Sequence, residues 1–407
     1  MTNSDDHTLV RITYFADVRF PLERANGIQT METCQALAAR GHHVDLIVRP
    51  DTESPARDPF VFYDLPPTPT LRIERAIASG PPPARRLGYM AFALGRAIGT
   101  SRADVLLTRD LGVASLLLRL PRRFRPPLVY ESHGYAPDVA AALPDMVATA
   151  SPASAQKLRR LARREARVWR CADGYVTITA ALRADLEARY GVRARVAVIP
   201  DGVRVGRFDG STRTREARAA QGVVAYAGHL YSWKGVDVLL AALARIPKAR
   251  GLIVGGHANE PDLGRLKALA ARLGISDRVA FTGLVEPGRV AERLRQADVL
   301  ALPNPSSAIS TRFTSPLKLF EYMAAGRPIV ASDLPSIREV LHHDVDALLV
   351  TPGDPVAMAQ AIERLLADPA LASRLADAAL SIVPAYSWDR RAERLEALFE
   401  DMRSPRP

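Results

Sequence analysis

Cysteine is nearly absent from this chain: Cys34 and Cys171 are the only two among 407 residues. Two isolated thiols cannot build the disulfide framework that staples small secreted domains, so a reduced, cytoplasmic setting is the simple expectation. Long apolar runs are absent as well. The most apolar stretch, "RADVLLTRDLGVASLLLRLPRRFRPP", is broken by Arg109 and Asp110, and a membrane-spanning helix needs about 20 apolar residues in a row. The N-terminus, "MTNSDDHTLV", is polar and acidic and lacks the basic and apolar regions of a secretory signal. Several chemical signatures are also missing. No Gly-x-x-x-x-Gly-Lys-Ser/Thr and no Gly-x-Ser-x-Gly occurs, which disfavours a P-loop nucleotidase and an esterase of the nucleophile-elbow type. "GLIVGGH" is a strand and a glycine turn without the acidic partner of a dinucleotide fingerprint. "HHDVD" at 342–346 imitates a metal cluster, but its place between a helix and a strand reads as a polar turn.

What is present is ordinary in bulk and informative in pattern. Hydrophobic residues make up 48% and charged residues 24%, as in soluble globular proteins. The length is more than one core usually carries and suits two domains. The net charge of +11 is uneven. In "QKLRRLARREARVWRC", Lys157, Arg159, Arg160, Arg163, Arg164, Arg167 and Arg170 stand against Glu165 alone. Leu158, Leu161, Ala162, Val168 and Trp169 add a partial apolar stripe. A basic amphipathic helix over 156–170 can lie on an anionic membrane; a solvated surface helix is the plainer alternative. Nothing resembles a nucleic-acid recognition signature, so no nucleic acid is expected as a partner.

Apolar strands alternate with helical patterns along the whole chain. In the first half "LVRITYFAD", "HHVDLIVRP", "ADVLLT", "PPLVYESHG", "DGYVTIT" and "RVAVIPDG" read as strands. "IQTMETCQALAARG" carries Ile28, Met31, Leu37 and Ala38 at helical spacing and stops at Gly41. The second half repeats the plan through "GVVAYAG", "ARGLIVGG", "RVAFTG", "ADVLALPN" and "DALLV". Such alternation predicts an α/β chain with parallel sheets covered on both faces. The expected domains are 1–205 and 206–387, divided in the polar stretch "VGRFDGSTRTREARAAQG", with a further helix over 388–407. Ligands of such sheets bind beyond the carboxyl ends of strands.

Two stretches follow strands and carry charge. In "FTSPLKLFEYMAAGRPIVAS" (313–332), Ser315 suits an N-cap and Pro316 the first helical position. The amides of Leu317 and Lys318 are then free, and a helix N-terminus attracts anions. Lys318 adds charge there, and Glu321 lies one turn on along the same face. Gly326 ends the helix, and Arg327 reads as a surface residue. A capped helix with a surface Lys–Glu pair is the plainer reading. In "YAGHLYSWKGVDVLL", a strand ends at Gly228 and Lys234-Gly235 precede a helix; Lys234 could reach a phosphate or simply occupy a turn.

Taken together, "YAGHLYSWKGVDVLL", "GRLKALAARLGISDRVAFTGLV", "ADVLALPN" and "SPLKLFEYMAAGRPIVASDLPSIREVL", in this order, resemble the second domain of glycosyltransferase family 4 enzymes. "ANGIQTMETCQALAARGHHVDLIV", "VYESHG", "ADGYVTITAALRADL" and "VAVIPDGV" resemble the first more loosely, and 50–100 least. The resemblance implies a GT-B fold, two doubly wound Rossmann-like domains facing across a cleft, with the C-terminal helix packing back on the first. It implies a retaining transfer of sugar from a nucleotide-diphosphate sugar to an acceptor hydroxyl, with no cofactor and no metal. By position, Glu321 corresponds to the ribose-binding glutamate, Lys234 to the diphosphate lysine, and Ser315, Leu317 and Lys318 to the phosphate-receiving helix tip. Gly228 and His229 join the diphosphate site. Thr282, Gly283 and Leu284 border the base, Gly27 sits at the cleft mouth, and His133 contacts the transferred sugar. The expected catalytic set is His133, Lys234 and Glu321.

The chain departs from the family pattern twice. His229 stands where members often carry arginine, and Phe313 where many carry a first glutamate. Arginine is always charged and binds phosphate bidentately, so histidine is a weaker, titratable partner. The expected partners are the nucleotide sugar, an acceptor sugar, lipid-linked sugar or small molecule, and an anionic membrane surface. The expected setting is biosynthesis of a glycolipid, cell-surface polysaccharide or glycoconjugate. A nucleotide-sugar epimerase of the same architecture, and a nucleotide-sugar-binding protein without transferase activity, remain the alternatives.

Overall fold

The computed structural model describes residues 9–77, 80–98, 103–146, 150–208, 222–257, 260–307, 310–311 and 317–404. The first half forms one sheet from β1 (Arg11–Arg19), β2 (His43–Arg49), β3 (Leu71–Arg75), β4 (Val105–Thr108), β5 (Leu128–Ser132), β6 (Gly174–Thr177) and β7 (Val196–Val198). Their spatial order is β3-β2-β1-β4-β5-β6-β7. The second sheet holds β8 (Gly222–Ala227), β9 (Ala249–Val254), β10 (Val279–Phe281), β11 (Val299–Leu302), β12 (Ile329–Ser332) and β13 (Leu348–Val350), in the order β10-β9-β8-β11-β12-β13. Every pairing within both sheets is parallel. Each sheet is therefore doubly wound, with a switch point between β1 and β4 and another between β8 and β11.

The apolar runs make these sheets because both faces are covered. Ile12 pairs with Val44 on one side and Val105 on the other. Tyr14 and Leu46 pack on one face, Phe15 and Ile47 on the other, in two separate cores. The second sheet is likewise sandwiched between two cores. Each fully buried leucine-sized side chain contributes about 1.5–3 kcal/mol.

The first helix (Ala25–Ala39) is buried nearly all round, because the sheet lies beneath it and the last helix (Trp388–Arg403) lies over it. Arg40, just past its end, forks onto Glu396 at 2.7 and 2.9 Å. The chain crosses between the sheets twice, and the two crossings run side by side. Val203 N–H donates to Tyr386 C=O at 2.9 Å, and Val203 pairs with Ser387.

Three local readings are corrected. The first helix starts at Ala25 rather than Ile28; its first turn, Ala25-Asn26-Gly27, contains no large apolar residue to reveal it. Gly27, expected at the cleft mouth, is thus a buried residue of the helix's first turn. A Cβ there would lie 2.2 Å from the Leu22 carbonyl oxygen and 2.5 Å from the Tyr63 hydroxyl, so only glycine fits. Between 64 and 97, where the family resemblance is loosest, the chain adds the edge strand β3 and a helix, Pro82–Ala97. Arg327 is half-buried and donates to the Arg295 carbonyl at 2.8 Å, tying off the helix Val290–Arg295.

The basic helix spans Ala155–Cys171, with Ser154 capping the Lys157 amide at 3.2 Å. Val168 and Trp169 are buried, and Leu158, Leu161 and Ala162 half-buried, where the helix packs beside helices Leu111–Leu117 and Ala136–Met146. The apolar stripe is therefore used within the protein. Glu165 also turns inward, fully buried, and accepts from the Tyr175 hydroxyl at 2.9 Å. Burial pushes its carboxyl up to about 7. The outward face keeps Lys157, Arg159, Arg160, Arg163, Arg167 and Arg170 exposed.

Candidate active site

Because all strands of a sheet run the same way, every loop that follows a strand emerges on one edge. The loop after β8 leads with Gly228, held at φ 135. A short turn, Ser232–Lys234, then ends at Gly235 with φ 73. A Cβ on Gly235 would lie 1.9 Å from the Pro303 carbonyl oxygen, just past β11. The lysine loop is therefore pressed against the end of β11, at the switch point.

Lys234 places its ammonium 3.5 Å from the centroid of the Trp233 ring. Trp233, Tyr231, His229 and His257 form a ladder of nearly parallel rings, with successive centroids 6.4, 5.1 and 6.4 Å apart. Burial pushes the Lys234 ammonium down to about 7. His229 is engaged through Nδ1 with Glu260 at 2.7 Å, which leaves Nε2 for a ligand. Burial holds its imidazole below the usual histidine range in spite of Glu260.

The helix Leu317–Ala324 lies across the same edge. Its Tyr322 hydroxyl accepts from the Ala227 amide at the end of β8, at 2.7 Å, and Leu319, Phe320 and Met323 are buried in the core. Lys318 is only 9% exposed. Its Nζ donates to the Tyr226 hydroxyl at 2.7 Å, and that hydroxyl donates to the His229 carbonyl at 2.6 Å. A Cβ on Gly228 would lie 2.9 Å from Nζ, so glycine keeps the approach to the lysine open. Burial, with the repulsion of Lys234, holds the Lys318 ammonium well below its ordinary value. The expectation of a full charge at the helix tip is thus modified: the fold lowers the proton affinity of this lysine. Glu321 lines an interdomain cavity with Glu32, Arg204, Arg207 and Leu317. Burial pushes its carboxyl up to about 7, against the pull of Arg207 and Lys318. Ser315, Pro316 and Phe313 lie outside the described residues.

Thr282, Gly283 and Leu284 follow β10 on the same edge. The Gly255 amide donates to the Gly283 carbonyl at 3.0 Å, and Leu284 is 49% exposed. From the first sheet, His133 follows β5 and is half-buried. Its Nε2 meets Glu131 Oε1 at 2.5 Å. Glu131 also binds Gln29 and Arg391. Arg109, after β4, donates to Gln29 at 2.9 Å. None of Gln29, Arg109, Glu131, Asp201 or Arg391 stands out in the sequence as a site residue. The carboxylate in "YESHG", two residues from His133, was the one local signal. "HHDVD" is a turn, closed by the His342 amide donating to Asp346 at 2.6 Å. Among the described residues the grouping that could reach one metal ion is Glu131, His133 and Asp201.

The description "Glycosyltransferase Family 4" matches residues 27–207, and "Glycosyl transferases group 1" matches residues 221–368. The chain belongs to glycosyltransferase family 4. This family 4 glycosyltransferase is 29% identical to the D-inositol 3-phosphate glycosyltransferase of Xylanimonas cellulosilytica over 401 residues, covering 93% of this chain and 92% of that protein. It is 32% identical to the protein of the same name from Nocardia farcinica over 290 residues, 67% of this chain and 61% of the relative. Among solved structures, sucrose-phosphate synthase of Thermosynechococcus elongatus superposes with a TM-score of 0.77 at 22% identity, over 97% of this chain and 99% of that one. Anabaena HepE in complex with UDP and glucose gives 0.71 at 18% identity, over 96% and 99%. At these identities the structural likeness speaks for the fold, which is GT-B: two Rossmann-like parallel-sheet domains.

Proposed function

We propose that this glycosyltransferase moves a sugar, with retention, from a nucleotide-diphosphate sugar to an acceptor hydroxyl. The observation that carries the reading is the convergence of Lys234, Lys318 and Glu321 at the β8–β11 switch point, where Lys318 feels both other charges. In this reading the two ammonium groups and the amides at Leu317 receive the diphosphate, with Gly228 giving it access and His229 Nε2 beside it. Glu321 accepts from the ribose hydroxyls, and Thr282–Leu284 border the base. His133 meets the transferred sugar. Negative charge grows on the diphosphate as the glycosidic bond breaks, and pre-placed cations stabilise that charge in a closed site. Two lysines can supply it without a metal ion. The Glu131, His133 and Asp201 grouping is a poor metal site, because both Glu131 oxygens already accept from protein donors.

A thermal-shift series with UDP, GDP and ADP, and then their sugars, tests the donor reading. One nucleoside diphosphate is expected to raise Tm in proportion to the logarithm of its concentration. The matching sugar nucleotide should then yield product with an acceptor panel that includes sugars, lipid-linked sugars and, given the relatives' names, a phosphorylated cyclitol. Stabilisation by none of them, or epimerised donor without acceptor, would overturn the proposal.

We place the enzyme in the cytoplasm at the inner face of a membrane, making a glycolipid or cell-surface glycoconjugate. The support is the exposed basic face of helix Ala155–Cys171. With its apolar residues packed inward, the contact is electrostatic rather than insertional. Each basic side chain near an anionic surface contributes about 1 kcal/mol. Neutralising Arg159, Arg160, Arg163 and Arg167 to glutamine should lower co-sedimentation with phosphatidylglycerol vesicles at least about tenfold, and raised salt should mimic it. Undiminished binding by the variant would remove the membrane role.

A further inference from the structure

Arg391 belongs to the last helix, far along the chain from the cleft, yet it is 2% exposed. Its Nη2 donates to Glu131 Oε2 at 2.5 Å. Nη1 donates to the Ile199 and Pro200 carbonyls at 2.9 and 2.8 Å, and Nε to Thr33 Oγ1 at 3.0 Å. One guanidinium thus ties the last helix to the first helix, to the chain after β7 and to the end of β5. Glu131 is 0% exposed. Its second oxygen accepts from Gln29 Nε2 at 2.7 Å and meets His133 Nε2 at 2.5 Å. A line of direct contacts therefore runs from the last helix through Glu131 to the histidine at the cleft.

We infer that Arg391 is a positioning residue for His133: by keeping Glu131 ionised it holds the proton on Nε2 of His133 and leaves the Nδ1 lone pair for a sugar hydroxyl. The inference rests on the reading of His133 as the sugar contact. An ionised carboxylate only accepts, so a neutral imidazole beside it must carry its proton on the facing nitrogen. A guanidinium suits this task because it never loses its charge and its planar fork serves several acceptors at once. The other charged groups facing the pair are Arg109 after β4 and Asp201 after β7, with the Tyr14 hydroxyl and Cys34 thiol on the side of Glu131. Burial by itself would push the Glu131 carboxyl up; Arg391 and the His133 hydrogen bond outweigh it and bring it to about 2. Burial and Arg109 hold His133 below the usual histidine range, which favours the neutral ring.

The two charges flanking the histidine proton act in opposite directions, which gives a two-sided test. In Arg391→Met, an unneutralised Glu131 attracts the proton, so the His133 midpoint rises by about one pH unit or more. The acid limb of kcat moves to higher pH with it, and kcat at pH 7 falls by about tenfold or more. In Glu131→Gln the anion is gone while Arg109 and Arg391 remain, so the midpoint falls. Arg391→Lys keeps the charge and should restore part of both values. The measurement is the pH titration of the His133 ring nitrogens by nitrogen-15 NMR on the full chain, beside kcat–pH profiles and the nucleoside-diphosphate Kd, which should stay within about twofold in all variants.

A His133 midpoint and tautomer unchanged in Arg391→Met, with kcat lowered, would overturn the inference and leave Arg391 a structural residue. Should Arg391→Met fail to fold, Arg391→Lys and Glu131→Gln decide: a Glu131→Gln midpoint that does not fall overturns it equally. The sugar-contact reading fails separately, by wild-type transfer in His133→Ala, whatever the titrations show.

Discussion

Lys234→Ala is expected to lower kcat/KM for sugar transfer by about two to three orders of magnitude, the usual cost of removing a pre-placed group that stabilises transition-state charge. The fold should survive, because Lys234 makes no ion pair among the described residues; its ammonium lies over the Trp233 ring. In the free enzyme this ammonium loses its proton around pH 7. An arriving diphosphate favours the charged form and raises that value. Binding at pH 8 should therefore take up protons, measurable by calorimetry in buffers of different ionisation enthalpy. The sign follows directly: the charged lysine binds the anion, so its contribution to affinity weakens as pH rises above about 7. The difference in proton uptake between wild type and Lys234→Ala isolates it from Glu321 and His229. Equal transfer rates, or equal proton uptake, would show that Lys234 does not touch the diphosphate.

Glu321→Ala is expected to lower kcat/KM by about a hundredfold, through loss of a charged acceptor for two ribose hydroxyls. Stability should move the other way. Burial raises the Glu321 carboxyl from 4.5 in the unfolded chain to about 7 in the fold, so the fold disfavours the ionised form. That penalty is absent below about pH 4.5, grows as pH rises, and is complete above about pH 7. Glu321→Gln, which keeps the shape, should therefore be more stable than wild type at pH 8, by about 1–3 kcal/mol, and no more stable at pH 4. A residue whose replacement strengthens the fold while removing activity is retained for function. Loss of stability at pH 8 together with full transfer would contradict this role.

Much of the architecture was legible along the chain, for a physical reason. Parallel strands covered on both faces must be apolar throughout, and "VLLT", "GYVT" and "VLAL" show it directly. The edge strand Leu71–Arg75 did not show, since three of its five residues are charged and prolines precede it. Lys234, Lys318 and Glu321 were legible as candidates, through stretches whose spacing suits a strand–loop–helix anion site and through the family resemblance. Their titration was not. The low proton affinity of Lys318 arises from burial beneath Gly228 and from Lys234, 84 positions away in the chain. His133 was a candidate through the family resemblance alone, and its setting beside Glu131 did not show in the sequence.

Residue order alone determined the alternation of strand and helix, the glycines that let Lys234 and Lys318 face the cleft, and the local charges of the donor side. Tertiary structure alone decided which way those charges titrate, and that the basic helix spends its apolar stripe inward. It also decided that Arg391, 260 residues from Glu131, pairs with it. Periodicity and capping act over a few residues and are written in sequence. Desolvation and buried charge pairing depend on which distant segments the fold brings together.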